Sequence, residues 1–366
     1  MSLSIGIIGL PNVGKSTLFN ALTDANALIA NYPFATIEPN TGIVPIPDAR
    51  LPKLAKIYKT DKIVPATVEF VDIAGLVAGA SKGEGLGNQF LSHIRATSAI
   101  CHVVRAFEDS NVTRAGLPAG RQGSSEPKND IDIINTELVL ADLQTVNNRL
   151  PKLQKEAKSN SKLTPQLKIL EQIKQNLDDN KPLFASSELL ANSYQLEQLQ
   201  LLTAKPVIYV FNVDEKTLTD EAKKQALTDL VAPAKAVFIC AKLENELRGL
   251  DENDSQELLE SYGQTESGLV QLIHAAYDTL GLQSFLTAGE KEVRAWTVKK
   301  DATAPEAAGV IHTDFERGFI AAQVVSYPDL ISAGSLVAAR AAGKVRSEGK
   351  AYLMQPGDVV EFRFNV

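Results

Sequence analysis

The chain has 366 residues, 44% hydrophobic and 22% charged, with a net charge of −7. That length accommodates two domains and an inserted third, and the composition is that of a folded chain, not a disordered one. The acidic balance argues against a protein that coats nucleic acid over its whole surface, and no apolar run reaches the roughly 20 residues a membrane span needs.

In chain order, the opening "MSLSIGIIGL" lacks a basic leader and runs directly into a predicted strand at residues 3–10, so a signal peptide is not expected. A glycine-containing loop and the helix "KSTLFNALTDA" follow. "TVEFVDIAG" (67–75) alternates and is rich in β-branched residues, which predicts a second strand. "SAICHVVRAF" (98–107), "KPVIYVFN" (205–212) and "AVFICAK" (236–242) are continuous apolar runs of the kind found in strands covered on both faces. Strands separated by helical stretches predict an α/β fold with a mostly parallel sheet. Cys101 and Cys240 lie in these apolar runs and read as buried reduced thiols, which fits a cytoplasmic location.

Two segments interrupt the pattern. Residues 114–129 are rich in Gly, Ser and Pro and predict a loop. Ile131, Ile134, Leu138 and Ala141, then Leu167, Leu170, Ile173 and Leu177, step at helical spacing on either side of a polar turn. An inserted helical hairpin is therefore expected, with a kink or break at Pro151. Its charge is one-sided: Arg149, Lys152, Lys155, Lys158, Lys162, Lys168 and Lys174 against Glu156 and Glu171. Residues 244–260 are the reverse, and either run also reads as a solvated helix face. From about Gly281 the pattern becomes that of a small α+β unit. Strands are expected in "KEVRAWTV", "GFIAAQVVSY" and "DVVEFRFNV", helices in "PEAAGVIHTD" and "YPDLISA", and a junction near "LGLQSFLTAG".

"GLPNVGKST" (9–17) fits G-x-x-x-x-G-K-[ST] between a strand and a helix, the context that marks a phosphate-binding loop. Such a loop turns backbone N–H groups toward phosphate oxygens at a helix N-terminus. The candidate nucleotide contacts here are Asn12, Val13, Gly14, Lys15, Ser16 and Thr17, with Lys15 reaching the β- and γ-phosphates. "DIAG" (72–75) supplies Asp72 for a Mg²⁺ ion shared with Ser16, and Gly75 to present its N–H to the γ-phosphate; Lys15 and Gly75 are thus the candidate catalytic groups. Thr36 in "NYPFATIEP" is the candidate switch threonine completing the metal shell, with Thr41 the runner-up. Leu76 stands where many such enzymes place a water-orienting Gln. Either the catalytic group comes from elsewhere or turnover is slow.

Together, "GLPNVGKST", "NYPFATIEPNTG", "DIAGLVAGASKGEGLGNQFL", "NVDE" and "AAGVIHTDFERGFI" closely resemble the Obg-like ATPases of the YchF type, and the resemblance spans nearly the whole chain. It implies a P-loop G domain over 1–129 and 203–280, a helical arm over 130–202, and a C-terminal TGS domain of β-grasp type over 281–366. It also implies ATP hydrolysis in preference to GTP and association with the ribosome, as the large subunit or the whole particle with its RNA, without DNA or membrane partners. Potassium is a candidate second ion, because Asn12 matches the loop Asn of cation-activated relatives. The loop 114–129 looks longer than usual for the family and lacks a histidine found near there in some members.

The stretch "NVDE" bears on base choice. In guanine readers an Asn-Lys-x-Asp carboxylate accepts both N1–H and the 2-amino group; adenine has a bare N1 and no 2-amino group. Here Asn212 can still pair with N7 and the 6-substituent, Val213 replaces the Lys that packs over the ring, and Glu215 is one methylene too long. Cys240, Ala241 and Lys242 occupy the fifth motif, with the Ala241 backbone expected near the 6-position. The expected activity is a slow ATPase. The alternatives are an Obg-like GTPase with a degenerate fourth motif, or a nucleotide-sensing binding module whose hydrolysis is incidental.

Overall fold

The computed structural model describes residues 3–24, 40–73, 86–107 and 126–365. They form two compact units, Met1–Ile43 with Glu69–Leu280, and Val44–Val68 with Gly281–Val366.

All five strands expected in the first unit are present, at Ser4–Ile8, Thr67–Asp72, Ala99–Ala106, Val207–Val213 and Lys235–Ile239. A sixth, Asn40–Pro45, sits at the sheet edge next to Thr67–Asp72. It is not legible as a strand in the sequence because only Gly42 and Val44 of its six residues are buried. From that edge the order continues through Ser4–Ile8, Ala99–Ala106 and Val207–Val213 to Lys235–Ile239. The strand Ser4–Ile8 pairs in parallel on both sides, with Ile5 opposite Phe70 and Ala99. All five of its residues are buried, which is why it reads as an unbroken apolar run.

The helix Pro127–Ser159 is shared by two cores. Near its start, Ile131, Ile134, Leu138 and Ala141 pack in one cluster with Ile8, Ile100 and Val104 of the sheet. Further along, Val146 and Leu153 pack with Leu170, Ile173 and Leu177 of the returning helix Thr164–Asp178. The helical hairpin is thus present, but the expected break at Pro151 does not occur, and the helix runs through it. Proline removes the N–H that would bond the Asn147 carbonyl and crowds that carbonyl with its ring. Both residues are exposed, so water can satisfy that carbonyl while Leu153 remains packed. Asn160 ends the helix, its side-chain oxygen accepting from the Lys162 N–H at 3.2 Å.

Asp142, on this helix, is fully buried. Its carboxylate accepts from Leu202 N and Thr203 N at 2.8 Å each and from Thr203 Oγ1 at 2.7 Å. These bonds fix the segment that returns the chain to strand Val207–Val213. Burial still outweighs the three hydrogen bonds and the attraction of Arg95, so the carboxyl titrates above its ordinary range. Arg95 in turn donates to Thr145 Oγ1 at 3.0 Å.

The second unit is a mixed six-stranded sheet in the order Arg346–Glu348, Phe319–Ser326, Asp358–Phe364, Leu282–Ala288, Val293–Lys299 and Ile63–Val64. The junction expected near "LGLQSFLTAG" is where the two units divide, between Leu280 and Gly281, and the stretch continues directly as the strand Leu282–Ala288, with Phe285 and Leu286 fully buried. Residues 44–68, expected in the first domain, cluster with this unit, as Leu51 and Leu54 of helix Arg50–Tyr58 are buried and Val293 N donates to Lys62 O at 2.9 Å. The expected helix "PEAAGVIHTD" divides at His312, whose extended backbone separates Ala304–Ile311 from Thr313–Arg317. Glu306 and Thr303 form a capping box at the start of the first piece. Among the described residues no helix is long and apolar enough to cross a membrane.

Asp142→Ala leaves two buried N–H groups and one hydroxyl without an acceptor. We expect a loss of about 3 kcal/mol or more in urea unfolding followed by circular dichroism; an unchanged midpoint would show that the arm root is held by other contacts.

Candidate nucleotide-binding site

The strand Ser4–Ile8 leads through residues 9–14 into helix Lys15–Asp24. This turn needs backbone that L side chains rarely adopt: φ is 152° at Gly9, 62° at Asn12 and 101° at Gly14. At Gly14 the glycine is also required by space, since a Cβ there would stand 2.7 Å from Asn212 Nδ2. Val13 is buried and anchors the loop, whereas Ser16 and Thr17 are exposed at the helix start. The first turn of the helix itself carries no acidic residue.

Lys15 is buried, and its Nζ donates to the Leu10 carbonyl at 2.8 Å. Burial lowers its pKa to about 8, against the opposing attraction of Asp72. Ser16 Oγ donates to Asp72 Oδ2 at 3.3 Å, which places a hydroxyl and a carboxylate side by side at the end of strand Thr67–Asp72. Two hard oxygen donors beside a phosphate loop fit Mg²⁺, which takes few protein ligands and leaves the remainder to phosphate and water. Among the described residues there is no cluster of three or more His, Cys, Asp or Glu that would make a self-sufficient metal cage. Thr36, Gly75 and Leu76 lie outside the described residues. Thr41, the other threonine considered, is exposed on the edge strand Asn40–Pro45.

At the other end, Asn212 Nδ2 donates to the Val13 carbonyl at 3.1 Å, joining the base-side loop to the phosphate loop. Val213, which replaces the Lys that packs over the ring in guanine readers, is only 2% exposed and packs in the sheet core with Phe211 and Leu218. The cause is the strand's alternation, which continues through Val213 before the chain turns. Asp214 caps the helix Glu215–Thr219, accepting from Thr217 N at 2.7 Å. Glu215 then points to neighbours within the protein: Lys242 Nζ donates to its Oε1 at 2.7 Å and Tyr262 OH at 3.2 Å. Lys242 foremost, then Tyr262, hold this carboxyl below its ordinary range.

Cys240 is buried at the N-cap of helix Ala241–Glu246, and burial raises its thiol pKa. Ala241 lines a cavity with Gly14, Thr17, Leu18 and Asn212. Asn245, Arg248 and Leu269 line it too, which sequence reasoning missed. Asn245 and Arg248 lie one to two turns beyond the fifth motif, and no spacing rule points to them. Glu244, also at the cavity, accepts from Gly268 N at 2.7 Å and Leu269 N at 3.3 Å, capping helix Gly268–Thr279.

Residues 4–213 match the family described as 50S ribosome-binding GTPase, and residues 282–365 match the YchF-GTPase C-terminal family, described as a protein of unknown function. The chain is 50% identical to the Ribosome-binding ATPase YchF of Bacillus subtilis (strain 168) and 47% identical to that of Escherichia coli O157:H7, with all of both chains covered in each case. The Schizosaccharomyces pombe YchF GTPase superposes with a TM-score of 0.82 at 37% identity, covering 99% of this chain and 98% of that one. A GTP binding protein from Pyrococcus horikoshii OT3 shares the fold at a TM-score of 0.60 and 19% identity, with 99% of this chain and all of that one covered. With the phosphate loop, the inserted helical hairpin and the C-terminal mixed sheet all within the matched length, this chain belongs to the YchF family.

Proposed function

We propose that this chain is a slow ATPase switch that acts on the ribosome. The observation that carries the base choice is Glu215, whose carboxylate is occupied by Lys242 and Tyr262. Guanine would have to displace these donors to be read, whereas adenine asks nothing of a carboxylate. The names of the curated relatives support ATP and the ribosome, while that of the fission-yeast structure supports GTP, so a GTPase is the second reading.

In the proposed site, N–H groups of residues 12–17 surround the phosphates. Lys15 exchanges the Leu10 carbonyl for the β- and γ-phosphates, regaining in charge what it lost on burial. Ser16 and Asp72, with Thr36, would hold Mg²⁺, which supplies neutralising charge at the phosphates when bound. Gly75 presents its N–H to the γ-phosphate. Asn212 reads N7 and the 6-substituent, helped by backbone of Cys240, Ala241 and Lys242. Val213 contributes by closing the core under the loop. Leu76 cannot orient water, which accounts for slow turnover.

The domain assignment is a P-loop domain interrupted by an arm over 130–202, followed by a β-grasp TGS domain that also takes in residues 44–68. A cytoplasmic location follows from a ribosomal partner. The arm is the proposed ribosomal contact, because Lys152, Lys155, Lys158, Lys162 and Lys168 are exposed along it, whereas Arg149 and Lys174 are paired with Glu156 and Asp178.

Two outcomes test this. Reversing the charge of Lys152, Lys155 and Lys158 should weaken ribosome co-sedimentation and flatten its salt dependence, since each lysine withdrawn from a phosphate lowers the salt slope; sedimentation that stays unchanged excludes the arm. Turnover should also be faster in potassium than in sodium at matched ionic strength. The basis is the motif match of Asn12, which would help retain a monovalent cation supplying the charge an arginine finger otherwise gives. Equal rates in the two salts would remove the potassium assignment.

A further inference from the structure

Lys242 and Tyr262 come from different parts of the chain and meet at one oxygen. Lys242 is the second residue of the helix Ala241–Glu246, which Cys240 precedes at the N-cap. Tyr262 follows helix Glu252–Ser261, just beyond the acidic stretch 244–260. Both donate to Glu215 Oε1, at 2.7 and 3.2 Å, and Glu246 lies 3.9 Å from the same ammonium. The Asp214 cap fixes the backbone where Glu215 starts its helix, so its carboxylate can be redirected only by side-chain rotation, which the two donors restrain.

We infer that Lys242 and Tyr262 are positioning residues for base selection, which engage the Glu215 carboxylate and so deny guanine its acceptor. This rests on the ATP reading given above and names the groups that enforce it. A carboxylate accepting from an ammonium and a phenol gives up part of its basicity toward further donors. Guanine N1–H and the 2-amino group would compete with two donors already within the protein, and adenine would not. Without the pair, Glu215 would be at liberty to turn toward the base, where its charge would favour guanine's donors and oppose adenine's bare N1.

The effect should be modest. The side chains of Lys242 and Glu215 are 64% and 35% exposed, and exposed ion pairs are weak. A second donor on the same oxygen adds to the ion pair, and a shift of about fivefold in the ratio of GTP to ATP affinity is expected.

The test is calorimetric titration of ATP and GTP into the full chain, as wild type, Lys242→Met with Tyr262→Phe, and that pair combined with Glu215→Ala. Both paired substitutions keep the stem or ring and remove only the donor. The GTP-to-ATP affinity ratio should rise about fivefold in the pair variant and fall back once Glu215 is removed. A ratio that stays within about twofold of wild type, or a rise that persists with Ala at 215, overturns the inference while leaving the ATP reading intact. A wild type that prefers GTP overturns the ATP reading and this inference with it.

Discussion

The hydrogen bond from Asn212 Nδ2 to the Val13 carbonyl is the constraint on which the rest of the site depends. It spans 199 residues of sequence and brings the phosphate loop and the base-side loop to a fixed separation. Gly14 must be glycine for it to form, since any Cβ would stand within 2.7 Å of that amide. The bond is available only because Ser4–Ile8 and Val207–Val213 each pair with Ala99–Ala106 and so end on the same side of one parallel sheet. A doubly wound sheet concentrates its ligand contacts at the carboxyl ends of its strands, and here it places Lys15, Asp72 and Asn212 there together.

The inserted arm is tied into the same framework. Helix Pro127–Ser159 packs its first turns on the sheet and its last turns on helix Thr164–Asp178, so one rigid element belongs to both cores. Asp142 fixes the returning segment to that helix at the point where the two cores meet. A force at the basic end of the arm therefore reaches the sheet through continuous helix rather than through a hinge at Pro151.

Much of this was legible in the sequence. The five central strands could be read because burial on both faces leaves unbroken apolar runs, and the phosphate loop because its glycines obey backbone geometry. The arm helices followed from 3.6-residue spacing. What could not be read depends on tertiary context. Asn40–Pro45 is an edge strand without an apolar signature, and Leu282–Ala288, just past the unit boundary, shows itself as a strand only once Phe285 is placed in a core. Pro151 was overruled by packing on either side of it. Residues 44–68 join the C-terminal unit through long-range contacts that no local pattern announces. Within the site, the engagement of Glu215 by Lys242 and Tyr262 joins segments 27 and 47 residues away.

The site is proposed to favour adenine, with two side chains, Lys242 and Tyr262, engaging the Glu215 carboxylate in place of the direct readout that an Asn-Lys-x-Asp loop makes. Single-turnover hydrolysis of ATP and GTP, followed side by side with magnesium present and Lys15→Ala as the blank, tests that claim most directly. The account predicts that ATP is turned over from the lower nucleotide concentration, with an affinity advantage of about tenfold, the ratio one bidentate pair of hydrogen bonds supplies. GTP processed as well as ATP, or better, would contradict it.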